Sequence, residues 1–234
     1  MLDGVTFMAH YVLSDIHGEG DRFHRMLERI GFSSEDTLYI LGDVIDRGSD
    51  GIDLLREIMA SPNMVMLLGN HEYMMLQYFR PGSTVMDAIR WNRNGNTPTL
   101  ESFQELPSQD REEILSFLRT RQTHFHLELN GKKYYLVHGF PGENAHDEVW
   151  GRPHIEDENP VPDRTLLIGH TPVVVLGRDE EAQIRYGEDL MKNGDHLRIL
   201  HAPGFVDLDC GCGHRIPFRA LGCLRLEDGE EFYT

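Results

Sequence analysis

Five short polar clusters each follow a short apolar run, and each contains a glycine. They are Asp-Ile-His-Gly, Gly-Asp-Val-Ile-Asp-Arg-Gly, Gly-Asn-His-Glu, Val-His-Gly and Gly-His-Thr, beginning at positions 15, 42, 69, 137 and 169. Ligands of open parallel sheets bind beyond the carboxyl ends of the strands. The pattern therefore predicts five loops, one after each strand, that meet at a common site.

The first seventy residues alternate between strand and helix patterns. Apolar runs at 11–13, 37–41 and 64–68 predict strands, and 20–30 and 52–59 predict amphipathic helices. This alternation implies parallel pairing with right-handed crossovers. Residues 71–121 are mostly helical in pattern, and Asn130-Gly131 marks the turn of a β-hairpin.

The last third of the chain predicts short strands joined by long loops. Strands are expected at 165–169, 173–176, 197–200, 204–209 and 221–226. Residues 141–163 are rich in Pro, Asp, Glu and Asn and predict a long loop, a feature that is often functional inside a compact domain. The acidic stretches 179–181 and 227–231 predict solvated loops.

Charge and composition exclude several classes of function. The chain has 22 Lys and Arg residues and 39 Asp and Glu residues, which gives a net charge of −17. This negative charge argues against a general nucleic-acid binder and against docking on an anionic membrane. No apolar run approaches the ~18 residues of a membrane span. The N-terminus carries Asp3 instead of the basic region of a secretory signal, so we expect no such signal. Three cysteines do not form a disulfide framework, so we expect a single cytoplasmic domain over residues 1–234.

The five clusters combine carboxylates, an amide, imidazoles and one guanidinium. Oxygen and imidazole ligands without sulfur suit Mn²⁺, Fe or Zn²⁺, and their number fits two ions that share a carboxylate. Each cluster alone has a plain structural interpretation: His138 or His170 as a structural histidine, Asp46 and Arg47 as a surface ion pair. Their joint occurrence in this order favours a metal site.

The series D-x-H, G-D-x-x-D-R-G, G-N-H-E, V-H-G and G-H-T resembles the signature of calcineurin-like metallophosphoesterases. More narrowly, it is similar to the phosphoprotein phosphatase branch in its bacterial and bacteriophage form. The motifs cover residues 15–171, and 205–226 resembles the closing strands of that family. The resemblance implies an α/β (α+β) fold, a four-layer α/β/β/α sandwich of two mixed sheets with a dinuclear metal site at the strand C-terminal ends.

The resemblance also implies a role for each matching position. Asp15 and His17 would bind the first metal and Asp43 would bridge both, while the second metal would take Asn70, His138 and His170. Mn²⁺ is the expected ion, with Fe and Zn²⁺ as the others that such ligands accept.

The same resemblance assigns the catalytic side chains. His71 would be the general acid, oriented by Asp46, and Arg47 would clamp the phosphate oxygens together with Asn70 and His71. A second phosphate-binding arginine of the family lies in a Trp-x-Arg context, which here gives Arg152.

The implied activity is that of a phosphomonoesterase acting on phosphoserine or phosphothreonine in proteins, with phosphotyrosine as a further substrate. The expected partners are a phosphorylated protein or a small phosphate ester, with no nucleic acid and no membrane, and the oligomeric state is open. Segments 80–100 and 141–163, which lie outside the motifs, should govern substrate preference.

Three alternatives remain. A symmetrical dinucleoside tetraphosphate hydrolase shares the metal motifs but usually lacks the equivalent of Asp46 and reads G-N-H-D, so Asp46 and Glu72 favour the protein phosphatase. The acidic balance disfavours a phosphodiesterase or nuclease. A non-catalytic scaffold of the same fold should have lost ligands, whereas this chain keeps all of them.

The motif Cys210-Gly-Cys212-Gly-His214 suggests a zinc site with Cys223 as fourth ligand, but its Cys-x-Cys spacing does not match the usual ligand gap. Buried cysteines on a core strand and its turn are the favoured interpretation.

Overall fold

The computed structural model describes residues 8–176 and 179–234. Its strands are β1 (His10–Leu13), β2 (Thr37–Ile40), β3 (Met64–Met66), β4 (His124–Leu129), β5 (Lys132–Val137), β6 (Thr165–Ile168), β7 (Leu200–His201), β8 (Val206–Asp207), β9 (Gly222–Arg225) and β10 (Glu231–Tyr233). Asp3, on which the expectation of no secretory signal was based, lies outside the described residues.

Eight α-helices lie in the described part of the chain. They are α1 (Gly20–Ile30), α2 (Gly51–Ala60), α3 (Asn70–Phe79), α4 (Val85–Arg93), α5 (Thr97–Glu105), α6 (Ser108–Arg119), α7 (Asp147–Trp150) and α8 (Glu180–Asn193). None of these helices combines the length and the apolar character needed to cross a bilayer.

Two five-stranded mixed sheets form the centre, in the orders β10-β9-β1-β2-β3 and β4-β5-β6-β8-β7. The pairs β1–β2 and β2–β3 are parallel as predicted, and β4–β5 is the predicted antiparallel hairpin. The expected α/β architecture of two mixed sheets with helices is therefore confirmed.

Alternation along the strands divides the apolar side chains between two cores. On one face of the first sheet, Leu13 and Ile40 pack with helix residues such as Phe23 and Leu55. On the other face, Val12 and its neighbours meet the second sheet through a second cluster, whose buried members include Tyr39, Leu41, Leu67, Leu136 and Leu167. The sheets thus pack face to face, and the carboxyl ends of their parallel strands face the same region.

The predicted strand at 173–176 is wrong, because Val173–Val175 forms a 3-10 turn. Pro172 precedes it, and the Val175 amide donates to the Pro172 carbonyl at 2.8 Å, which closes the turn instead of a strand ladder. The strands expected at 204–209 and 221–226 are present in shorter form, as β8 and β9. The strand expected at 197–200 is displaced, since β7 begins only at Leu200.

The predicted loop at 179–181 is also wrong, since it opens α8. The Asp179 carboxylate accepts the Ala182 amide at 2.7 Å, and Gly194 ends the helix in the left-handed conformation. The other acidic stretch, 227–231, is a turn and loop up to residue 230, and Glu231 begins β10. Within it, Glu227 accepts the His10 amide at 3.0 Å. The expected long loop 141–163 contains the single-turn helix α7.

Candidate active site

Every predicted site residue from the five clusters lies at the carboxyl end of a strand. The loop after β1 carries Asp15 and His17, the loop after β2 carries 43–47, and α3 begins at Asn70 after β3. His138 and His170 follow β5 and β6. The structure brings these side chains together, and the six proposed metal ligands are all at least 94% buried.

The backbone of these loops is strained. Among the described residues, eight that are not glycine have positive φ, and six of them belong to the clusters: Asp15, His17, Asp43, Asp46, Arg47 and His170. Their φ values lie between 51° and 72°, a region that costs energy for residues with a Cβ. Such strain concentrates at functional sites, where the surrounding structure maintains it.

Asp43 lies at the centre of the cluster. Its carboxylate belongs to two groups of candidate metal ligands, one with His17 and His71 and the other with His138 and His170. Its Oδ2 is 3.6 Å from His17 Nε2, and its Oδ1 is 3.3 Å from His138 Nε2. This shared carboxylate is what a two-ion site requires. Asp15 Oδ1 lies 3.7 Å from His17 Nε2, within reach of the first group.

The imidazoles are oriented by contacts outside the cluster. His17 Nδ1 lies 3.1 Å from the Ile45 carbonyl and His138 Nδ1 lies 2.9 Å from the Leu41 carbonyl, so both rings direct Nε2 inward. Carbonyl contacts of this kind fix the tautomer of metal-binding histidines.

Asn70 connects the histidines of the second group. Its Oδ1 lies 2.9 Å from His138 Nε2 and also 2.9 Å from His170 Nδ1. His170 therefore directs Nδ1 inward, and its buried Nε2 has no hydrogen-bond partner among the described residues.

The charges in the cluster fit bound cations. Burial acts to raise the pKa of Asp43, but His138 and His71 outweigh it and hold that pKa well below its usual range. Burial conversely acts to lower the pKa of His138, which Asp43 nevertheless raises to about 9. A proton on His138 thus balances the negative charge of Asp43. A bound metal ion would take over this role, and its binding would release the proton. The oxygen and nitrogen donors, without sulfur, suit Mn²⁺, Fe and Zn²⁺.

His71 is held by a buried carboxylate. Its Nδ1 lies 2.6 Å from Asp46 Oδ2, which also accepts the indole N–H of Trp91 at 2.8 Å. Burial acts to lower the pKa of His71, but Asp43 and Asp46 outweigh it and raise that pKa above its ordinary value. The predicted pairing of His71 with Asp46 is present. Trp91 was missed, because nothing in the α4 sequence distinguishes it from a core tryptophan.

The two predicted arginines have different surroundings. Arg47 is half-buried and lies between two imidazoles, with Nη2 3.2 Å from His71 Nε2 and Nη1 3.3 Å from His214 Nε2. Arg152 is exposed and contacts Thr171 Oγ1 at 3.3 Å. His214, considered above only as part of the cysteine motif, was missed as a neighbour of the site.

Glu72 supports the backbone of the central loop. Its fully buried carboxylate accepts the amides of Asp43 at 2.9 Å, Val44 at 2.8 Å, Ile45 at 3.2 Å and Gly69 at 3.1 Å. Both oxygens are occupied by backbone, so the choice of Glu at this position carries no direct information about the substrate.

Replacing Glu72 with Gln should destabilise the protein by about 3 kcal/mol, because the new NH₂ group would face amides that need an acceptor. Urea unfolding of the metal-free protein measures this loss. Glu105→Gln, on α5, is the matched control and should unfold like the wild type. Equal stability of the Glu72 variant would show that the loop does not depend on the carboxylate.

Two buried carboxylates beyond the predicted set lie behind the cluster. Asp207 Oδ1 accepts the Asp209 amide and Asp209 Oδ1 accepts the Gly211 amide, both at 2.9 Å. Burial first, and then neighbouring carboxylates that include Asp15, raises both pKa values well above the usual range. Their only sequence signal was two acids within an apolar run.

The three cysteines lie in the protein core. Cys210, Cys212 and Cys223 are all buried and free, and within the described residues none belongs to a candidate metal group. Burial raises the pKa of the Cys212 thiol to about 12.

The two segments expected to govern substrate preference line one cleft of about 660 Å³ beside the site. Helices α3 and α4 contribute one wall, with Arg80 and Arg90, and the 141–163 segment contributes His146 and Trp150. The Trp150 ring meets the His170 ring edge to face at 5.9 Å, and His146 stacks on Trp150 at 6.0 Å. A side chain that lines the cleft, Trp150, therefore contacts one of the proposed metal ligands, His170.

Comparison with known proteins identifies the family of this chain. Residues 8–215 match the profile of the calcineurin-like phosphoesterases. The chain belongs to that family, a group of hydrolases that use divalent metals.

Curated relatives match about half of the chain. A symmetrical bis(5'-nucleosyl)-tetraphosphatase of Delftia acidovorans is 37% identical over 134 residues, 56% of this chain and 44% of that protein. A serine/threonine-protein phosphatase 2 of Salmonella typhimurium is 30% identical over 138 residues, 58% of this chain and 61% of that protein. The chain thus spans less than half the length of the tetraphosphatase.

Solved structures share the fold over nearly the whole chain. A protein serine/threonine phosphatase of Saccharomyces cerevisiae aligns with TM-score 0.61 and 12% identity, covering 99% of this chain and 80% of that one. A metallophosphoesterase of Sphaerobacter thermophilus aligns with TM-score 0.56 and 14% identity, covering 97% and 87%. At these identities the likeness concerns the fold alone.

Proposed function

We propose that this chain hydrolyses a phosphate ester or phosphoanhydride with two divalent ions, Mn²⁺ in the first instance. The ligands would be Asp15, His17, Asp43, Asn70, His138 and His170. The observation that carries the proposal is the position of Asp43 in two ligand groups, next to His71 and Arg47. The ions would supply an activated water and neutralise charge on the phosphoryl oxygens.

The protein's own residues divide the remaining work. Arg47, assisted by Arg152, Asn70 and His71, would bind the phosphate oxygens, and a guanidinium can do so with two parallel hydrogen bonds. His71 would protonate the leaving group from Nε2 while Asp46 holds its Nδ1. Arg47 Nη2 lies 3.2 Å from the same Nε2, so the group that would bind phosphate and the group that would donate the proton are neighbours.

A dinucleoside tetraphosphate is the first substrate that we propose. Relatives named symmetrical tetraphosphatases match at 28–37% identity, the most similar of these above the 30% of the protein phosphatase of Salmonella typhimurium. The cleft beside His170 is lined by aromatic rings, which suit a planar base, and by two arginines that pair with Asp87 and could exchange that partner for phosphates. This order reverses the expectation drawn from Asp46 and Glu72.

A phosphoprotein is the second candidate, favoured by the 2.6 Å contact between His71 and Asp46. A serine alkoxide is a poor leaving group and needs a proton donor, whereas a nucleoside diphosphate leaves readily. A buried and firmly oriented acid is of most use for the poorer leaving group.

Turnover by the Mn²⁺-loaded protein, followed as ADP formed from the dinucleotide and as phosphate released from the peptides, tests both candidates with three substrates measured side by side. They are diadenosine tetraphosphate, a phosphoserine and phosphothreonine peptide pair, and a phosphotyrosine peptide. A kcat/KM for the dinucleotide at least about 100-fold above the peptides, some 2.7 kcal/mol of transition-state stabilisation, supports the first candidate. The reverse preference supports the second. No turnover of any of them with two ions bound would contradict both.

Removing the arginines of the cleft should weaken binding of the dinucleotide. Arg80→Ala or Arg90→Ala should raise its KM about fivefold, because a half-exposed ionic contact contributes about 1 kcal/mol. We expect kcat to stay unchanged, as should the kinetics with p-nitrophenyl phosphate, which is too small to reach the cleft. Arg119→Ala on α6 serves as the charge-matched control. An unchanged KM in both variants would show that the substrate does not occupy the cleft.

A further inference from the structure

The segment 210–214 packs directly against the metal-ligand cluster. A side-chain carbon at Gly213 would lie 2.2 Å from Cδ2 of His17, so only glycine allows the backbone to approach that ring. Cys212 Sγ lies 3.6 Å from the Ile16 carbonyl, in the loop that carries His17. The cysteine motif is therefore part of the wall of the active site.

Arg219 fixes this segment from behind. Its Nη1 donates to the Cys212 carbonyl at 3.0 Å and to the His214 carbonyl at 3.2 Å. The same guanidinium forms an ion pair with Glu19 at 2.8 Å, next to α1. Carbonyls on both sides of Gly213 are thus held, which places the His214 side chain.

His214 presents an acceptor to Arg47. Its Nε2 lies 3.3 Å from Arg47 Nη1, and a guanidinium can only donate, so this nitrogen accepts. Burial, and then the charges of Arg47 and His71, lower the pKa of His214 to about 4, which keeps the ring neutral at pH 7. The contact is a hydrogen bond to a neutral acceptor and leaves the positive charge of Arg47 available.

Arg47 is constrained along its whole length. Its amide donates to the Gly95 carbonyl at 2.9 Å, and a side-chain carbon at Gly95 would lie 3.2 Å from its Cγ. Its two terminal nitrogens face His71 and His214. Bonding to His71 alone would leave one side of the guanidinium without a fixed direction.

We propose that His214 is a positioning residue that holds the Arg47 guanidinium in the orientation that receives phosphate. The inference rests on the proposed function, in which Arg47 binds the phosphate oxygens. A group already in place loses less freedom when the ligand arrives, so binding is tighter than with a mobile arginine. The Cys-Gly-Cys-Gly-His motif then serves to place an imidazole.

Binding of inorganic phosphate to the Mn²⁺-loaded protein, measured by calorimetry, tests this role without requiring turnover. His214→Ala should raise the Kd for phosphate about tenfold, equivalent to 1.4 kcal/mol, with the Mn²⁺ content unchanged. His214→Gln, whose Oε1 can accept from Arg47, should restore the Kd to within about twofold to threefold of the wild type. His24→Ala, an exposed histidine on α1, should bind phosphate normally.

Combination with Arg47→Ala separates positioning from direct binding. If His214 acts through Arg47, the double variant should bind phosphate no more weakly than Arg47→Ala alone. Additive losses would overturn the proposal, as would an unchanged Kd in His214→Ala or equal losses in the Ala and Gln variants. If phosphate binding shows the expected pattern but no substrate is hydrolysed, the positioning role stands and the proposed function fails.

Discussion

Asp43→Asn should abolish stoichiometric metal binding and reduce kcat by about 1000-fold or more, an increase of about 4 kcal/mol in the activation barrier. The variant loses the charge of the one carboxylate that belongs to both ligand groups. An amide oxygen is neutral and binds one ion weakly, so neither ion keeps its full ligand set. Metal content by plasma mass spectrometry and turnover of the preferred substrate are the two measurements.

The fold of this variant should persist. Asp43 Oδ1 accepts the His71 amide at 2.9 Å, and the amide oxygen of an asparagine can accept the same bond. Asp53→Asn, exposed on α2, is the matched control and should keep two ions and full activity. Two retained ions in Asp43→Asn, with circular dichroism like that of the wild type, would contradict the bridging role.

The first sheet could be predicted from sequence because its signals are local. Each strand from β1 to β3 is a short apolar run, and α1 presents Phe23 and Met26 on one face. Helix α8 lacked such a signal, since only Gly187 and Leu190 are buried along its 14 residues. Its acidic start therefore suggested a solvated loop, although acids at a helix N-terminus are favourable.

The candidate site likewise contains residues that local sequence patterns indicate and residues that they do not. The proposed metal ligands stand directly after strands, so their order along the chain already indicates a common edge. Trp91 lies 45 residues from Asp46, and His214 lies 167 residues from Arg47. Contacts over such separations depend on how helices and loops pack across the sheet, and no local pattern specifies them. The sequence could thus predict which side chains converge, and the pairing of His71 with Asp46, but not the contact of Trp91 with Asp46 or that of His214 with Arg47.

His71→Asn should separate proton donation from metal binding. We expect both ions to remain, and kcat for a phosphoserine peptide to fall about 10²–10⁴-fold, the usual contribution of a general acid. His71 lies 3.8 Å from Asp43 Oδ2 and in one candidate ligand group, so the metal content decides between an acid and a ligand. Loss of one ion would assign His71 to the metal. His201→Asn, exposed on β7, is the control and should match the wild type.

The size of the loss should depend on the leaving group. A serine alkoxide cannot leave without a proton, whereas a nucleoside diphosphate is stable as an anion near neutral pH. With diadenosine tetraphosphate, His71→Asn should therefore lose less than about tenfold in kcat, far below the range for a general acid on a poor leaving group. Equal losses on the ester and the anhydride, with both ions bound, would mean that His71 acts on the phosphoryl group common to both and not on the leaving oxygen.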